Sequence, residues 1–492
     1  MLNFNQFQEL ANKQAMVSNW TELVADLDTP VSIYSKLHKN SKDAFLFESV
    51  IGGEKIGRYS FIGYKALEII KTYEGDPYQR LSDRLTEINL NGLETNPALP
   101  FFHQGFVGYF SFETIRYIEP SLSMQQSQYP ESYLILVGSM VVFDRVTQKI
   151  YLIANTLVDH KQGLAKQYQE SLANLAELQA TINDKIDLPR LDIDLESYST
   201  RHPSANGFES NTGEDVYKAM VETAKEHIIE GDIFQVVPSH KLIKQCSIDP
   251  LKAYRILRTV NPSPYLFLYN LDLDDLGSVS LVGSSPEMIV KSSYNTSGKL
   301  EAEIRPIAGT YKRGKTLEED QQLADQLLND PKEVAEHVML MDLARNDLGR
   351  VCQSGSIKVA QNMIVEKYSH VLHIVSSVIG ELKSELGYKS GVELFRACFP
   401  AGTLSGAPKV EAIKIIAKLE KEARGPYGGG IGYFGLDGLV DVAIIIRTMI
   451  IENNKITLQA GGGVVADSLP ESELQETYNK AGALIKVVEL AS

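Results

Sequence analysis

The strongest constraint on this chain is a set of short apolar runs that stop at hairpin-type turns. Residues 133–144 (YLILVGSMVVFD) and 149–155 (KIYLIAN) form one such pair, and Asn453-Asn454 separates the run 442–452 from 456–461. Paired asparagines tolerate the positive φ that a two-residue hairpin demands. SSYNTSGK plays the same part after 288–291, and further strands are expected at 265–269 and 278–283. Helical periodicity predicts a helix over about 161–180, and others that begin near Asp215, Asp249, Thr316, Pro331, Gly391, Lys409 and Pro470. Strands tied by hairpins, with helices outside them, predict an α+β fold of antiparallel sheets, not a doubly wound parallel one.

Composition excludes several classes of function. A formal net charge of -15 over 492 residues disfavours nonspecific contact with nucleic acid or anionic membranes, which need clustered Lys and Arg. The start, MLNFNQFQEL, lacks a basic region followed by an apolar run, and the apolar stretch 441–451 is interrupted by Arg447. Cys246, Cys352 and Cys398 are odd in number and lack metal-site spacing, so a reduced cytoplasmic protein without disulfides is expected. Residues 183–213 are polar and aperiodic, and read as a linker or long surface crossing.

Two Glu-x-x-Glu pairs, Glu333/Glu336 and Glu473/Glu476, sit at the starts of predicted helices. Residues three apart project from one helix face, so each pair presents two carboxylates to one point. Two carboxylates about 5 Å apart repel by roughly 3 kcal/mol at an effective dielectric of 20, so four in one cleft require a cation or raised pKa values. Mg2+ takes oxygen ligands and suits such a site. The competing reading makes Glu333 the partner of Asp330 in a capping box. Gly428 to Gly432 and Gly461 to Gly463 adjoin strands, where bare backbone amides either meet an oxyanion or answer a turn. Residues 401–409 (AGTLSGAPK) lack the spacing of a nucleotide phosphate loop. Arg447 is the one charge in VAIIIRTMII (442–451), and a buried guanidinium needs an anionic partner. His373, in HVLHIVSSVIG, reads equally as a core histidine.

GDIFQVVPS (231–239), GSSPEM (283–288), RPIAGT (305–310), EHVMLMDLARND (336–347), FPAGTLSGAPK (399–409), GPYGGGIGY (425–433) and ELQETYNKA (473–481) follow one another in an order that resembles the chorismate-utilising enzymes. That resemblance implies large antiparallel sheets packed together, with helices outside and the two ends of the chain in one intertwined body. It implies an N-terminal regulatory region (1–195), a linker (196–212) and a chorismate-binding catalytic domain (213–488). It also implies that Glu333, Glu336, Glu473 and Glu476 surround a Mg2+ ion that holds the substrate's ring carboxylate.

Within the family, two positions discriminate. Isochorismate and salicylate synthases carry a lysine where this chain has Gln235, and aminodeoxychorismate synthases typically carry one where it has Ala308. The remaining route is direct attack by ammonia, which resembles the anthranilate synthases of tryptophan biosynthesis, with pyruvate eliminated by the same enzyme after amination. The roles then implied are Glu287 as general acid, Thr403 at the same end of the ring, and His373 in pyruvate elimination. Tyr427, Arg447 and the amides of Gly461, Gly462 and Gly463 would hold the enolpyruvyl carboxylate. LFES (46–49) and NPSPYLF (261–267) resemble the feedback site for L-tryptophan, which gives Glu48, Ser49, Pro264, Tyr265 and Leu266; Phe47 and Leu266 depart from the family's usual leucine and methionine. No Gly-x-Cys-x-Gly elbow is present, so ammonia is expected from a separate glutamine amidotransferase subunit. Aminodeoxychorismate synthase component I, and a tryptophan-binding module without catalysis, are the alternatives.

Overall fold

The computed structural model describes residues 1–49, 57–89, 98–99, 101–185, 188–193, 207–367 and 371–492. Most of the expected linker, 196–206, lies outside them, while Glu209–Ser210 pairs antiparallel with Ser239–Gln245. The long strand Ser132–Asp144, buried along its whole length, organises the fold. One edge pairs with Tyr59–Thr72 throughout; the other pairs with Gly105–Phe110 over Ser132 to Leu136 and with Lys149–Leu157 over Ser139 to Asp144. It therefore belongs to two sheets at once.

In one direction the ladder runs from Tyr59–Thr72 through Phe45–Glu48, Tyr265–Leu273, Gly277–Ser285, Thr448–Glu452 and Lys455–Gly461 to Ser239–Gln245. In the other it runs from Gly105–Phe110 through Gly430–Gly435, Val440–Ile444, Met288–Tyr294 and Leu300–Ile304 to Val371–Glu381, which also pairs with Ile307–Lys312 and Lys358–Lys367. Every one of these pairings is antiparallel, as the hairpin turns predicted. Asn453 and Asn454 take φ of 36° and 62°, as that turn requires.

Side-chain alternation divides the core. Tyr133, Ile135, Phe267, Tyr269, Leu281, Ile431 and Ile450 share one aromatic-rich core contributed by strands of both sheets. On the outer faces, Leu175, Leu257 and Leu484 of three helices cover one sheet, and Leu85, Leu348, Phe395 and Ile413 of four others cover the second. The helices begin near the predicted caps: Asp249 accepts from Leu251 N–H and Lys252 N–H, and Thr316 from Glu319 N–H. The helix expected over 161–180 is displaced to Leu164–Asn183.

One expected strand is two. The run 442–452 splits into Val440–Ile444 and Thr448–Glu452, with Arg447 between them at φ 51°. Apolar content hid the break; a contact with the last helix causes it, as described below. Among the described residues, no helix is long and apolar enough to cross a membrane.

Candidate active site

The first glutamate pair rises from the helix Pro331–Gly349. Asp330 caps it, accepting from Lys332 N–H at 3.0 Å and Glu333 N–H at 3.3 Å. The reciprocal half of a capping box is not made, because the Glu333 carboxylate turns to the Thr310 N–H on the strand Ile307–Lys312. A Cβ at Gly309 would stand 3.1 Å from Glu333 Oε2, so glycine leaves the room this contact needs. Burial, then the charges of Glu336 and Asp330, push the Glu333 carboxyl above its ordinary range.

The second pair lies on Pro470–Ala491. Glu473 is buried; its Oε1 accepts from Ser468 Oγ at 2.7 Å, while Oε2 has no hydrogen-bond partner. Here too a glycine clears space, since a Cβ at Gly462 would lie 2.8 Å from Oε2. Burial and the Glu476 charge raise this carboxyl, against opposing effects from Ser468, Lys480 and Lys332. That Lys332, on the first helix, acts on Glu473, on the second, puts the two helix starts across one cleft.

The four carboxylates do not close into a cage. Among the described residues, the one group of three acidic or histidine ligand atoms within 4.8 Å of one another is His227, Glu230 and Asp232, elsewhere on the surface. Thr310 holds Glu333, and Lys480 Nζ holds Glu476 Oε1 at 2.6 Å. The donor set still fits a hard divalent cation: the ligands are all oxygen, two carboxyls are raised by burial and then by their acidic neighbours, and Glu473 Oε2 is a buried acceptor with nothing to accept.

Deeper in the cleft, Thr403 Oγ1 donates to Glu287 Oε1 at 3.0 Å. Burial pushes the Glu287 carboxyl up to about 7, although Thr403 and the Lys480 ammonium both favour its ionised form. His373 Nδ1 lies 2.8 Å from the Gly309 carbonyl, which fixes the proton on that nitrogen and leaves Nε2 as the basic one. Burial, the leading cause, and Arg447 hold this imidazole below its ordinary pKa. Arg447 donates through Nη1 to the Lys480 carbonyl, and its own carbonyl accepts from Ser284 N–H at 3.1 Å. Those two anchors account for the positive φ that breaks the strand. The anionic partner expected for the guanidinium is thus replaced by a carbonyl, with Glu476 the nearby carboxylate that favours its charge against the cost of burial.

Tyr427 is buried, its phenol is pushed up to about 12 by burial, and its hydroxyl borders Gly461. Of the three expected amide donors, Gly462 N–H is already engaged, by the Pro238 carbonyl at 3.2 Å and Tyr217 OH at 3.1 Å. Its contribution is clearance for Glu473. Gln235 lies against Gly463, whose Cβ would meet Gln235 Nε2 at 3.1 Å, and buried Ala308 sits beside the His373 strand, opposite Ile374.

Sequence reasoning missed two residues. Lys480 bonds Glu476 and the Gly461 carbonyl, the latter at 2.9 Å; its i+4 spacing from Glu476 in ELQETYNKA was the available signal. Arg424 is fully buried and reaches the Leu404 carbonyl at 2.8 Å, the Val237 carbonyl at 2.7 Å and Glu420 Oε1 at 2.6 Å. It also lies under Tyr427, its guanidinium 5.6 Å from the ring centre, and so ties the Thr403 turn to the Gln235 segment. Nothing in its local sequence separates it from a surface arginine.

Glu48, Ser49, Pro264, Tyr265 and Leu266 all line one cavity of about 710 Å3 between the sheets. Tyr265 OH donates to Asp441 Oδ1 at 2.9 Å there, and Lys291 Nζ lies 3.1 Å from Asp441 Oδ2. Glu48 is committed within the protein: Arg145 Nη2 (2.8 Å), Tyr254 OH (2.6 Å) and Arg258 Nε (3.0 Å) all donate to it. It pins the end of an N-terminal strand to the helix Pro250–Val260.

Residues 14–486 match the family model described as chorismate binding enzyme. "Anthranilate synthase component 1" of Synechocystis sp. is 41% identical, over 99% of this chain and 99% of its own length, and that of Aquifex aeolicus is 39% identical over 100% and 98%. The crystal structure of anthranilate synthase component I from Streptococcus pneumoniae superposes with a TM-score of 0.72 at 31% identity, covering 94% of this chain and 99% of that one. The menaquinone-specific isochorismate synthase of Escherichia coli shares the fold, with a TM-score of 0.70 at 19% identity over 99% and 98%. The ordered motifs, the two-sheet fold and the full-length matches converge: this chain belongs to the chorismate binding enzyme family.

Proposed function

We propose that this chain is the synthase subunit of an anthranilate synthase, converting chorismate and ammonia to anthranilate and pyruvate. The observation that carries the reading is the Glu287 carboxyl, raised to about 7, in the same cleft as Lys480, Arg447 and the glutamate pairs. Relatives of that name along the whole chain support it.

Chorismate loses its C4 hydroxyl as ammonia enters at C2, and hydroxide is a poor leaving group. A carboxyl with a pKa near 7 is protonated in about half the molecules at neutral pH and supplies that proton. Thr403, by donating to Oε1, directs the acidic proton to the other oxygen. His373, held neutral and carrying its proton on Nδ1, offers Nε2 as the base that removes the ring proton when the C–O bond to pyruvate breaks. Arg447 and Tyr427 orient the enolpyruvyl carboxylate. Glu333, Glu336, Glu473 and Glu476 would hold Mg2+, which supplies counter-charge to the ring carboxylate. Gln235 and Ala308 provide neither a base for water nor a nucleophilic amine, which leaves ammonia as the attacking group.

A separate glutaminase subunit supplies the ammonia, and L-tryptophan occupies the cavity lined by Ser49, Pro264, Tyr265 and Leu266, to which a regulatory region spanning 1–195 contributes one part and the catalytic domain the other. The deciding experiment incubates the purified chain with chorismate, Mg2+ and ammonium salt. Anthranilate and pyruvate are the expected products, with none from glutamine alone; an aminodeoxychorismate product would favour the alternative synthase and overturn the assignment.

A further inference from the structure

Lys480 stands apart from the roles above, because it is a cation already seated among the glutamates. Its ammonium lies 2.6 Å from Glu476 Oε1 and 2.9 Å from the Gly461 carbonyl, and its own carbonyl takes the Arg447 guanidinium. Across the helix face, Glu473 Oε2 accepts no hydrogen bond from any described residue. One arm of the second pair is therefore neutralised internally and the other is not. No three of the site's carboxylates draw within 4.8 Å of one another while this arrangement holds.

We infer that Lys480 is a displaceable internal counter-cation, which holds Glu476 away from the divalent-ion position until the ion and substrate arrive. The inference rests on reading this cleft as a Mg2+ site. Its physical content is competition: Glu476 Oε1 accepts either the ammonium or the metal, and a divalent ion about 5 Å from a fixed ammonium is repelled by several kcal/mol at an effective dielectric of 20. The ion pair thus weakens binding of Mg2+ alone. The substrate, which brings carboxylates of its own, offsets that repulsion and makes occupancy of the site depend on its presence. Lys480 is a positioning residue in this scheme.

Calorimetric titration of the native chain and its variants with Mg2+ alone, in the absence of chorismate, tests the exchange. Lys480→Met is expected to bind Mg2+ about tenfold more tightly than the native protein, while Lys480→Arg, which keeps the charge, stays within about twofold of it. Equal or weaker binding by Lys480→Met, or binding by Lys480→Arg as tight as by Lys480→Met, would overturn the inference. Glu473→Gln separates the two levels of argument: if it leaves Mg2+ affinity unchanged, the metal-site reading fails and the inference with it. A crystal structure of the native chain soaked in Mg2+ gives a check that needs no variant. Nζ is expected more than about 4 Å from Glu476 Oε1, beyond ion-pair distance, and an intact pair beside bound metal would refute the exchange.

Discussion

Glu287 and Thr403, 116 residues apart in sequence, share a 3.0 Å hydrogen bond in which the hydroxyl donates to a buried carboxyl whose pKa is about 7. The value sets a direction for pH effects. The folded pKa lies above the ordinary 4.5, so the folded state binds more protons than the unfolded one between those values, and stability falls as pH rises through that window. Glu287→Gln removes an ionisable group that is unfavourable when charged, so its melting temperature should exceed the native value at pH 8 and match it more closely at pH 5. The same variant should lower kcat by about a hundred- to ten-thousand-fold with KM little changed. A native kcat that shows no decline above pH 7 would contradict the acid role.

His373 offers a second, chemically separate test. His373→Met should leave amination intact but block release of pyruvate, so that an aminated, non-aromatic intermediate accumulates and is detected by chromatography. Unchanged anthranilate output would remove the residue from the mechanism.

For Glu473, the orphaned oxygen predicts opposite signs for two measurements. Glu473→Gln relieves a buried charge and should raise the melting temperature of the metal-free chain by about 1–2 °C. Mg2+ affinity should nevertheless fall by at least about tenfold, read by calorimetry.

Gly462 has two steric constraints to satisfy, one from Glu473 Oε2 and one from Tyr217 OH, at 2.8 and 3.1 Å from any added Cβ. Gly462→Ala should therefore displace Glu473 and cut kcat/KM by about a hundredfold, with far-ultraviolet circular dichroism unchanged. Activity near the native level would show that the carboxylate's position is not critical.

Glu48 separates architecture from ligand binding. Its replacement by Gln leaves Arg145 and Arg258 without their shared counter-charge, so Glu48→Gln should lower stability by about 3 kcal/mol in thermal or denaturant unfolding. Loss of tryptophan affinity without loss of stability would instead make Glu48 a direct ligand contact.

Where local chemistry decides structure, the sequence was informative. The Asn453-Asn454 hairpin, the Asp249, Thr316 and Asp330 caps, and the antiparallel character of the sheets all follow from a few neighbouring residues. The five expected tryptophan-site residues do line one cavity, although Ser49 and Pro264 stand 215 positions apart with no local pattern between them; family motifs, not spacing, brought them together. What stayed hidden depends on distant partners. The break at Arg447 arises from the Lys480 carbonyl and Ser284 N–H, and the turning of Glu333 away from its cap arises from Thr310. Arg424 looked like any polar loop residue because, apart from Glu420 four residues before it, its acceptors are the Leu404 and Val237 carbonyls, 20 and 187 positions back along the chain.

The double membership of Ser132–Asp144 also governs how the molecule can be divided. Phe45–Glu48 supplies the neighbour of Tyr265–Leu273, and Gly105–Phe110 that of Gly430–Gly435. A fragment beginning at residue 213 would carry both C-terminal strands with bare edges, each a template for pairing with another copy. Insolubility of such a fragment, and its rescue by co-expression of residues 1–195, would be the mark of a catalytic half whose sheets are finished by the other end of the chain.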